Sequence, residues 1–248
     1  MALHSHSNGS TGLLSRWNGF LFNAIFLAPS LFSWYPVVFV NLGFYIMILP
    51  KMSHHIYHTE GFVLASGPAQ EANKMLYVFT KELGVVHAFA QGIRLLKSKL
   101  RYSLQDFSYA NISLVRGKDI WRVTNASPVI SRFPNIFSQP ECFGIYVKVL
   151  TLLRRLLNGE EKNESLFILI TQAFDFLETV QVKDFQPLSF ECMLVLQILH
   201  NLGYGSQHSA FEKYASSVVW SRELIISFEP HRSRALAEIN TSLRESHL

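Results

Sequence analysis

The apolar residues change their period along the chain, and this change restricts the fold more than any other feature of the sequence. Between Met52 and Ser127, apolar and polar residues alternate in short runs, which is typical of β-strands. Beyond Asn135 the apolar residues recur every three to four positions, which is typical of amphipathic helices. Strands followed by helices predict an α+β protein.

Five runs in the first region have the composition of short strands. Lys81-Glu82-Leu83-Gly84 supplies a turn between the second and third runs, and Arg116-Gly117-Lys118 predicts a hairpin between the last two. Five short strands within about 70 residues favour a small barrel, closed or partly open. The runs are His58–Ala65, Lys74–Thr80, Val85–Gln91, Phe107–Val115 and Asp119–Val123.

The second region predicts four helices. The first ends at Asn158-Gly159, the third, Phe190–Leu202, is apolar nearly all round with Gly203 as its C-cap, and Pro230 can start the last. Between Tyr204 and Phe228 the pattern is too irregular for an assignment. The expected buried faces are Ile145, Val149, Leu152, Leu153 and Leu156 in the first helix, Leu166, Ile170, Ala173, Phe174 and Leu177 in the second, and Leu236, Ile239 and Leu243 in the last.

The stretch Phe20–Leu49 contains no charged residue and is rich in Phe, Leu, Ile and Val. Roughly 20 apolar residues suffice to span a bilayer, but Pro29 and Pro36 interrupt this one. Three interpretations stay open: an extension upstream of a native start at Met52, a transmembrane helix, and a buried helix. We therefore expect an apolar extension over residues 1–51, a β-domain over 52–127 and a helical domain over 128–248.

Gln91–Leu104, QGIRLLKSKLRYSL, carries Arg94, Lys97, Lys99 and Arg101 and no acid; we call it the cationic loop. Residues 52–127 hold nine Lys and Arg against five Asp and Glu, whereas residues 128–248 hold eleven against thirteen. The basic surplus permits a nucleic-acid partner. We expect Leu95, Leu96 and Leu100 to pin the loop to the barrel.

Further cations and several aromatic residues accompany the cationic loop. Cations that follow a phosphate backbone, beside rings on which bases stack, are typical of single-strand binding by such barrels. The competing interpretation is that the rings belong to the core and the lysines are solvated. The further candidate cations are Lys81, Arg116 and Lys118, and the rings are Tyr77, Phe79, Tyr102, Phe107, Tyr109 and Trp121.

The sequence offers no pattern for catalysis or metal binding. Phosphate-binding loops, nucleophile elbows and paired carboxylates in a plausible site are absent from it. Cys142 and Cys192 are isolated, which excludes a Cys-x-x-Cys zinc site and favours reduced thiols. His54, His55 and His58 lack further ligands at suitable spacing except Glu60. We expect a protein that is not an enzyme and holds no metal or cofactor.

Residues in the β-region resemble the N-terminal domain of the RecO family. Thr59-Glu60-Gly61 with Val63-Leu64 is similar to its first strand, Phe79–Gly84 to a turn, and Gly92–Leu100 to its Gly-x-Arg-x-x-Lys-Ser-x-Leu segment. The similarity covers about residues 55–246. It also includes Glu71-Ala72, Leu104-Gln105, Arg116-Gly117 and Phe190–Gly205, which ends in Leu202-Gly203-Tyr204-Gly205 and resembles the helix before the family's zinc module.

The resemblance implies an OB-fold β-barrel followed by an α-helical domain. It implies a DNA repair and homologous recombination mediator that binds single- and double-stranded DNA and anneals strands. With RecR, such a protein helps to load RecA on DNA coated with the single-strand-binding protein. It further implies a cytoplasmic, nucleoid-associated location. Many members carry four cysteines after the Leu-Gly-Tyr-Gly segment, but Ser206–Phe228 has none, so we expect the zinc module to be absent or reduced.

With that resemblance, Arg94, Lys97, Lys99 and Arg101 are the first candidates for DNA-backbone contacts, helped by Lys81, Arg116 and Lys118. Two alternatives stay open. A membrane-tethered adaptor without catalytic activity would use Phe20–Leu49 as its anchor, and an RNA-binding OB-fold protein would have much the same electrostatics.

Overall fold

The computed structural model describes residues 37–39, 46–48, 55–129, 132–181, 186–204, 209–217 and 219–245. Internal contacts divide the chain into Met1–Ser53 and His54–Leu248. In the first unit, β1 (Val37–Phe39) pairs antiparallel with β2 (Ile46–Ile48). The rest of Phe20–Leu49 lies outside the described residues, so the three interpretations of this stretch stay predictions. No helix in the described ranges is both long and apolar enough to cross a membrane.

Five strands of the second unit form a closed barrel in the order β3-β4-β5-β7-β6, with β6 returning to β3. The β5–β7 pair is parallel and the other pairs are antiparallel. A five-stranded barrel of this topology is an OB-fold, which confirms the predicted α+β class. The strands are β3 (Ile56–Ala69), β4 (Asn73–Thr80), β5 (Gly84–Ala90), β6 (Tyr109–Arg116) and β7 (Trp121–Pro128).

Alternate residues of the strands fill two separate cores, because successive strand side chains point to opposite faces. One set faces the barrel interior and includes Val63, Leu76, Val86, Ile112 and Trp121. The other set faces outward and packs against the helices. It consists of Phe62, Leu64, Phe79, Val85 and Tyr109.

The helices of the second unit follow the barrel in the chain, except for α1 (Leu100–Ser103) in the cationic loop. Asn163 caps α4, since its side chain accepts a 2.9 Å hydrogen bond from the Leu166 N–H. The predicted C-cap of α5 is one residue off, since Leu202 is the C-cap and Gly203 follows it with φ +81°, the left-handed conformation that often ends a helix. The helices are α2 (Pro134–Ser138), α3 (Pro140–Leu156), α4 (Glu164–Thr179), α5 (Pro187–Asn201), α6 (Ser209–Ala215), α7 (Arg222–Phe228) and α8 (Arg232–Glu245).

The predicted faces of α3 and α4 are buried, with Leu152 only partly covered. The prediction for the last helix is wrong at Leu236, whose side chain is 51% exposed. This helix begins at Arg232, after a 3-10 turn at Glu229–His231, and buries Ala235, Ile239 and Ser242. This helix contacts α5, and Leu236 lies next to the buried Ala235 but lines an open groove beside that contact.

The barrel and the helices share one aromatic core. The Phe62 ring lies 4.6 Å from the ring of Tyr109 and 5.6 Å from that of Phe167 between centroids. The Tyr146 hydroxyl donates to the Phe107 carbonyl at 2.9 Å, and Arg132 lies 3.0 Å from Asp175 in an ion pair. The predicted boundary after Ser127 falls inside this compact unit, one residue before the end of β7.

Candidate nucleic-acid interface

The cationic loop leaves β5 and crosses the end of the barrel, where backbone hydrogen bonds hold its start. The Gly92 N–H donates to Asn73 Oδ1 at 2.8 Å, and the Arg94 N–H donates to the Ala72 carbonyl at 3.0 Å. Gly92 has φ +64°, a conformation that glycine adopts without a steric cost. Ile93 and Leu104 are 2% and 1% exposed within the barrel core, so both ends of the loop are fixed.

The fixed loop presents its four cations to solvent. Arg94, Lys97, Lys99 and Arg101 are all exposed, and none of them forms an ion pair with a residue of the described ranges. Four uncompensated cations within eight positions produce a local positive potential. Such a surface can attract phosphates of any sequence, because backbone contacts carry no base information.

The expectation that Leu95 and Leu96 pin the loop is wrong. Their side chains are 57% and 83% exposed, and Tyr102 is 70% exposed. Leu100 is partly buried against the barrel core, as expected. Ile93 and Leu104 already occupy the inward positions, and successive turns direct the intervening leucines outward. In these turns the Leu95 N–H donates to the Gly92 carbonyl at 3.1 Å and the Ser98 N–H to the Leu95 carbonyl at 3.0 Å.

The other three predicted cations differ in their surroundings. Arg116 forms an ion pair with Glu160 and its guanidinium lies 4.8 Å from the Trp121 ring centroid, so its charge is already compensated. Lys118 is exposed in the β6–β7 hairpin. Lys81 follows the end of β4 that lies away from the cationic loop. The strand has eight residues, so its two ends are roughly 25 Å apart. The structure therefore does not bring Lys81 to the cationic loop.

Most of the predicted rings belong to the core. Phe79, Tyr109 and Trp121 are buried, and Phe107 and Tyr77 are partly buried against the helices. Burial raises the pKa of the Tyr109 hydroxyl well above its usual range, and the hydrogen bond that it donates to Glu60 adds to this rise. Of the six rings, only Tyr102 is largely exposed.

The outer face of β4, β5 and β7 contains a second group of rings and cations, of which only Tyr77 was among the candidates predicted from the sequence. Tyr77 and His87 are cross-strand partners whose ring centroids lie 4.4 Å apart. The Arg154 guanidinium lies 5.4 Å from the Tyr77 ring centroid. Phe89 is partly exposed and pairs with the exposed Arg122 across the parallel β5–β7 contact. We call Tyr77, His87, Phe89, Arg122 and Arg154 the aromatic face.

A cavity of about 400 Å³ opens at the aromatic face. Tyr77, His87 and Arg154 line it together with Asp119 and Ile120 of the hairpin. Rings beside guanidinium groups offer stacking and cation–π contacts to bases. The period-two pattern of VVHAFA placed His87 and Phe89 on one side of a strand, and this was the signal available in the sequence.

No group of three or more His, Cys, Asp or Glu side chains is arranged to hold a metal ion within the described ranges. His58 Nδ1 lies 2.9 Å from Ser113 Oγ, and the ring of His55 contacts that of Tyr57. Cys142 and Cys192 are both buried and form no disulfide. The residues after Gly205 do not fit a four-cysteine zinc site, because Ser206–Phe228 contains no cysteine.

Comparison with protein families matches residues 52–132 to the family described as Recombination protein O N terminal. This segment holds the barrel and the cationic loop. The resemblance to the RecO family is confirmed. Proteins named DNA repair protein RecO are also similar to the chain over its matched part. Those of Desulfitobacterium hafniense (strain DSM 10664 / DCB-2) and Dehalococcoides mccartyi are each 30% identical to it, over 149 and 141 residues.

These matches to RecO proteins cover part of each sequence. The Desulfitobacterium match spans 60% of this chain and 52% of the relative, and the Dehalococcoides match 57% and 55%. The RecO protein of Alkaliphilus metalliredigens is 29% identical over 125 residues, half of each chain. The chain thus spans about half the length of the curated relatives that it matches.

Proposed function

We propose that the protein is a DNA repair and homologous recombination mediator that binds single- and double-stranded DNA. The observation that carries the proposal is the cationic loop, whose four exposed cations lack ion-pair partners in the described ranges and project from an OB-fold barrel. The RecO family match supports the same role. The cations hold the phosphate backbone, and the aromatic face stacks bases of an unpaired strand. The proposed role involves no catalytic step.

The salt dependence of binding tests the part that the loop plays. Each phosphate that a cation neutralises releases counterions, which adds about 0.7 to the slope of log affinity against log salt for single strands. Replacing Arg94, Lys97, Lys99 and Arg101 by alanine should therefore lower that slope by roughly 3 and weaken binding at every salt concentration. Fluorescence anisotropy with a labelled oligonucleotide over a salt series measures both quantities.

A charge-matched variant controls for the change in net charge. Lys162, Lys213, Arg234 and Arg244 lie on the helical part and are exposed, so their replacement by alanine should leave the slope nearly unchanged. An unaltered slope in the loop variant would rule out the loop as the DNA site. Competition between DNA and RNA oligonucleotides of one sequence then tests the RNA-binding alternative, which preferential displacement by RNA would favour.

We further propose that the mediator acts with RecR and the single-strand-binding protein, and through them on RecA. A groove of about 740 Å³ between α3, α5 and α8 suits an acidic, apolar segment of the single-strand-binding protein. Its lining is largely apolar and includes Leu152 and Leu236. Arg155 and Arg232 also line it, whereas Lys148 is ion-paired at 2.9 Å with Glu191 of the same groove. Of the two arginines near the end of α3, Arg155 lines this groove, whereas Arg154 lies over Tyr77.

A charge placed in the groove tests this partner site. Leu236→Glu introduces a carboxylate at a half-exposed position, which should repel an acidic segment and lower affinity for the single-strand-binding protein about tenfold or more. Ile226→Glu is the matched control, because Ile226 is also more than half exposed and does not line the groove. Titration calorimetry measures the affinities. Equal binding by both variants would exclude the groove, and unchanged DNA binding by both would show that they are folded.

A further inference from the structure

The exposed apolar side chains of the cationic loop have no role in the proposed phosphate contacts. Leu95, Leu96 and Tyr102 project from a loop whose ends are fixed by Ile93 and Leu104. The turns that follow Gly92 and Leu95 are hydrogen-bonded, and the Arg101 N–H donates to the Ser98 carbonyl at 3.3 Å. These side chains therefore project from an ordered backbone, and their exposure is not due to an unstructured segment.

The cations around these leucines restrict what can cover them. Arg94 precedes Leu95 directly, and Lys97 follows Leu96 directly. A partner that contacts both kinds of side chain must present anionic groups directly beside an apolar surface, because each cation is adjacent to a leucine in the loop. A DNA duplex has this chemistry, because phosphates flank a stack of apolar base faces. Proteins that bend DNA insert leucine and similar side chains between base steps in this way.

We infer that Leu95 and Leu96 form a wedge that enters a base step of duplex DNA while the neighbouring cations hold its phosphates. The inference rests on the proposed DNA binding and adds an action to it, the local unstacking of a duplex. Tyr102 of α1 lies six residues after Leu96 and is 70% exposed, so its ring is available to stack on a base that the wedge exposes. A bilayer surface fits less well, because the loop contains only the four-residue helix Leu100–Ser103 and interfacial helices are longer.

Fluorescence of 2-aminopurine tests the wedge, since this base analogue becomes brighter when it is unstacked. The full-length protein is added to a duplex that carries 2-aminopurine at its centre. The wild type should raise the fluorescence severalfold at saturation. Leu95→Ser with Leu96→Ser should abolish the rise and leave the salt slope of binding unchanged, because all four cations remain. Leu96→Met should retain most of the rise.

Val219→Ser with Ile226→Ser is the control, because these two apolar residues are also exposed but lie in the helical part. This control should behave as the wild type does. A duplex that stays stacked when saturated with wild-type protein, or a rise that survives in the double-serine loop variant, would overturn the wedge. If either result came with the expected salt slope, the proposed DNA binding would still hold. If the wild-type protein showed no salt-dependent binding, both the wedge and the DNA binding would be overturned. Leucine-dependent binding to phosphatidylglycerol vesicles without a fluorescence rise would assign the loop to membranes instead.

Discussion

Gly84 has a backbone conformation that other residues adopt only with strain. Its φ is +71°, and a Cβ atom at this position would collide with the backbone carbonyl of Glu161. The turn is also held closely, since the Thr80 hydroxyl donates to the Gly84 carbonyl at 2.8 Å and the Val85 N–H donates to the Gly159 carbonyl at 3.2 Å. Gly84 thus permits the β4–β5 turn to touch the connection between α3 and α4.

Gly84→Ala should lower the free energy of unfolding by about 2 to 4 kcal/mol, because backbone strain and a steric clash act together. Urea unfolding followed by circular dichroism measures this loss. Gly67→Ala is the control, since Gly67 has no positive φ and no atom within 4 Å of an added Cβ. Its effect should stay below about 1 kcal/mol. Equal losses in the two variants would contradict the assigned role of Gly84.

At the scale of the elements, the spacing of apolar residues predicted the buried face of a helix well where that helix packs on a single neighbouring surface. The five residues expected to face inward on α4 are all buried, including Ile170 and Phe174. The same reasoning is wrong at Leu236, because α8, which contacts α5, buries Ala235 and Ser242 and leaves Leu236 half exposed. A prediction based on large apolar residues overlooks such small side chains, and the predicted buried face of the helix therefore differs from the observed one by about one residue.

The cationic loop and the aromatic face show a second reason why the site was only partly predictable. Phe79, Tyr77 and Met75 follow one outward row of β4, yet only Phe79 is fully covered. The helices cover only the end of this row that contains Phe79. How far they cover it depends on contacts between residues that are distant in sequence. Leu95 and Leu96 are similar, because the sequence shows that they are apolar but not that Ile93 and Leu104 fill the inward positions.

At the scale of the whole molecule, the aromatic core connects the OB-fold to the helices. Phe167 of α4 lies against three barrel rings, with centroids 5.4 Å from Phe79, 5.6 Å from Phe62 and 6.5 Å from Tyr109. These outward-facing barrel residues would be exposed if the helices unfolded alone. Exposure of large apolar side chains is unfavourable, so the barrel and the helices should stabilise each other.

We therefore expect residues 55–245 to unfold as one cooperative unit, and Phe167→Ala to destabilise the barrel and the helices equally, by about 3 to 5 kcal/mol. Hydrogen exchange in increasing urea, read by mass spectrometry, follows β4, β5, α4 and α5 in one experiment. Ile168→Ala is the matched control, because the neighbouring Ile168 lies about 100° further round α4 and is 41% exposed. If the helices lost protection while the strands kept theirs, the boundary predicted after Ser127 would separate two independent domains. If all four elements shifted together, DNA bound at the barrel would stabilise the helical groove as well, since ligand binding to one part of a cooperative unit stabilises the whole.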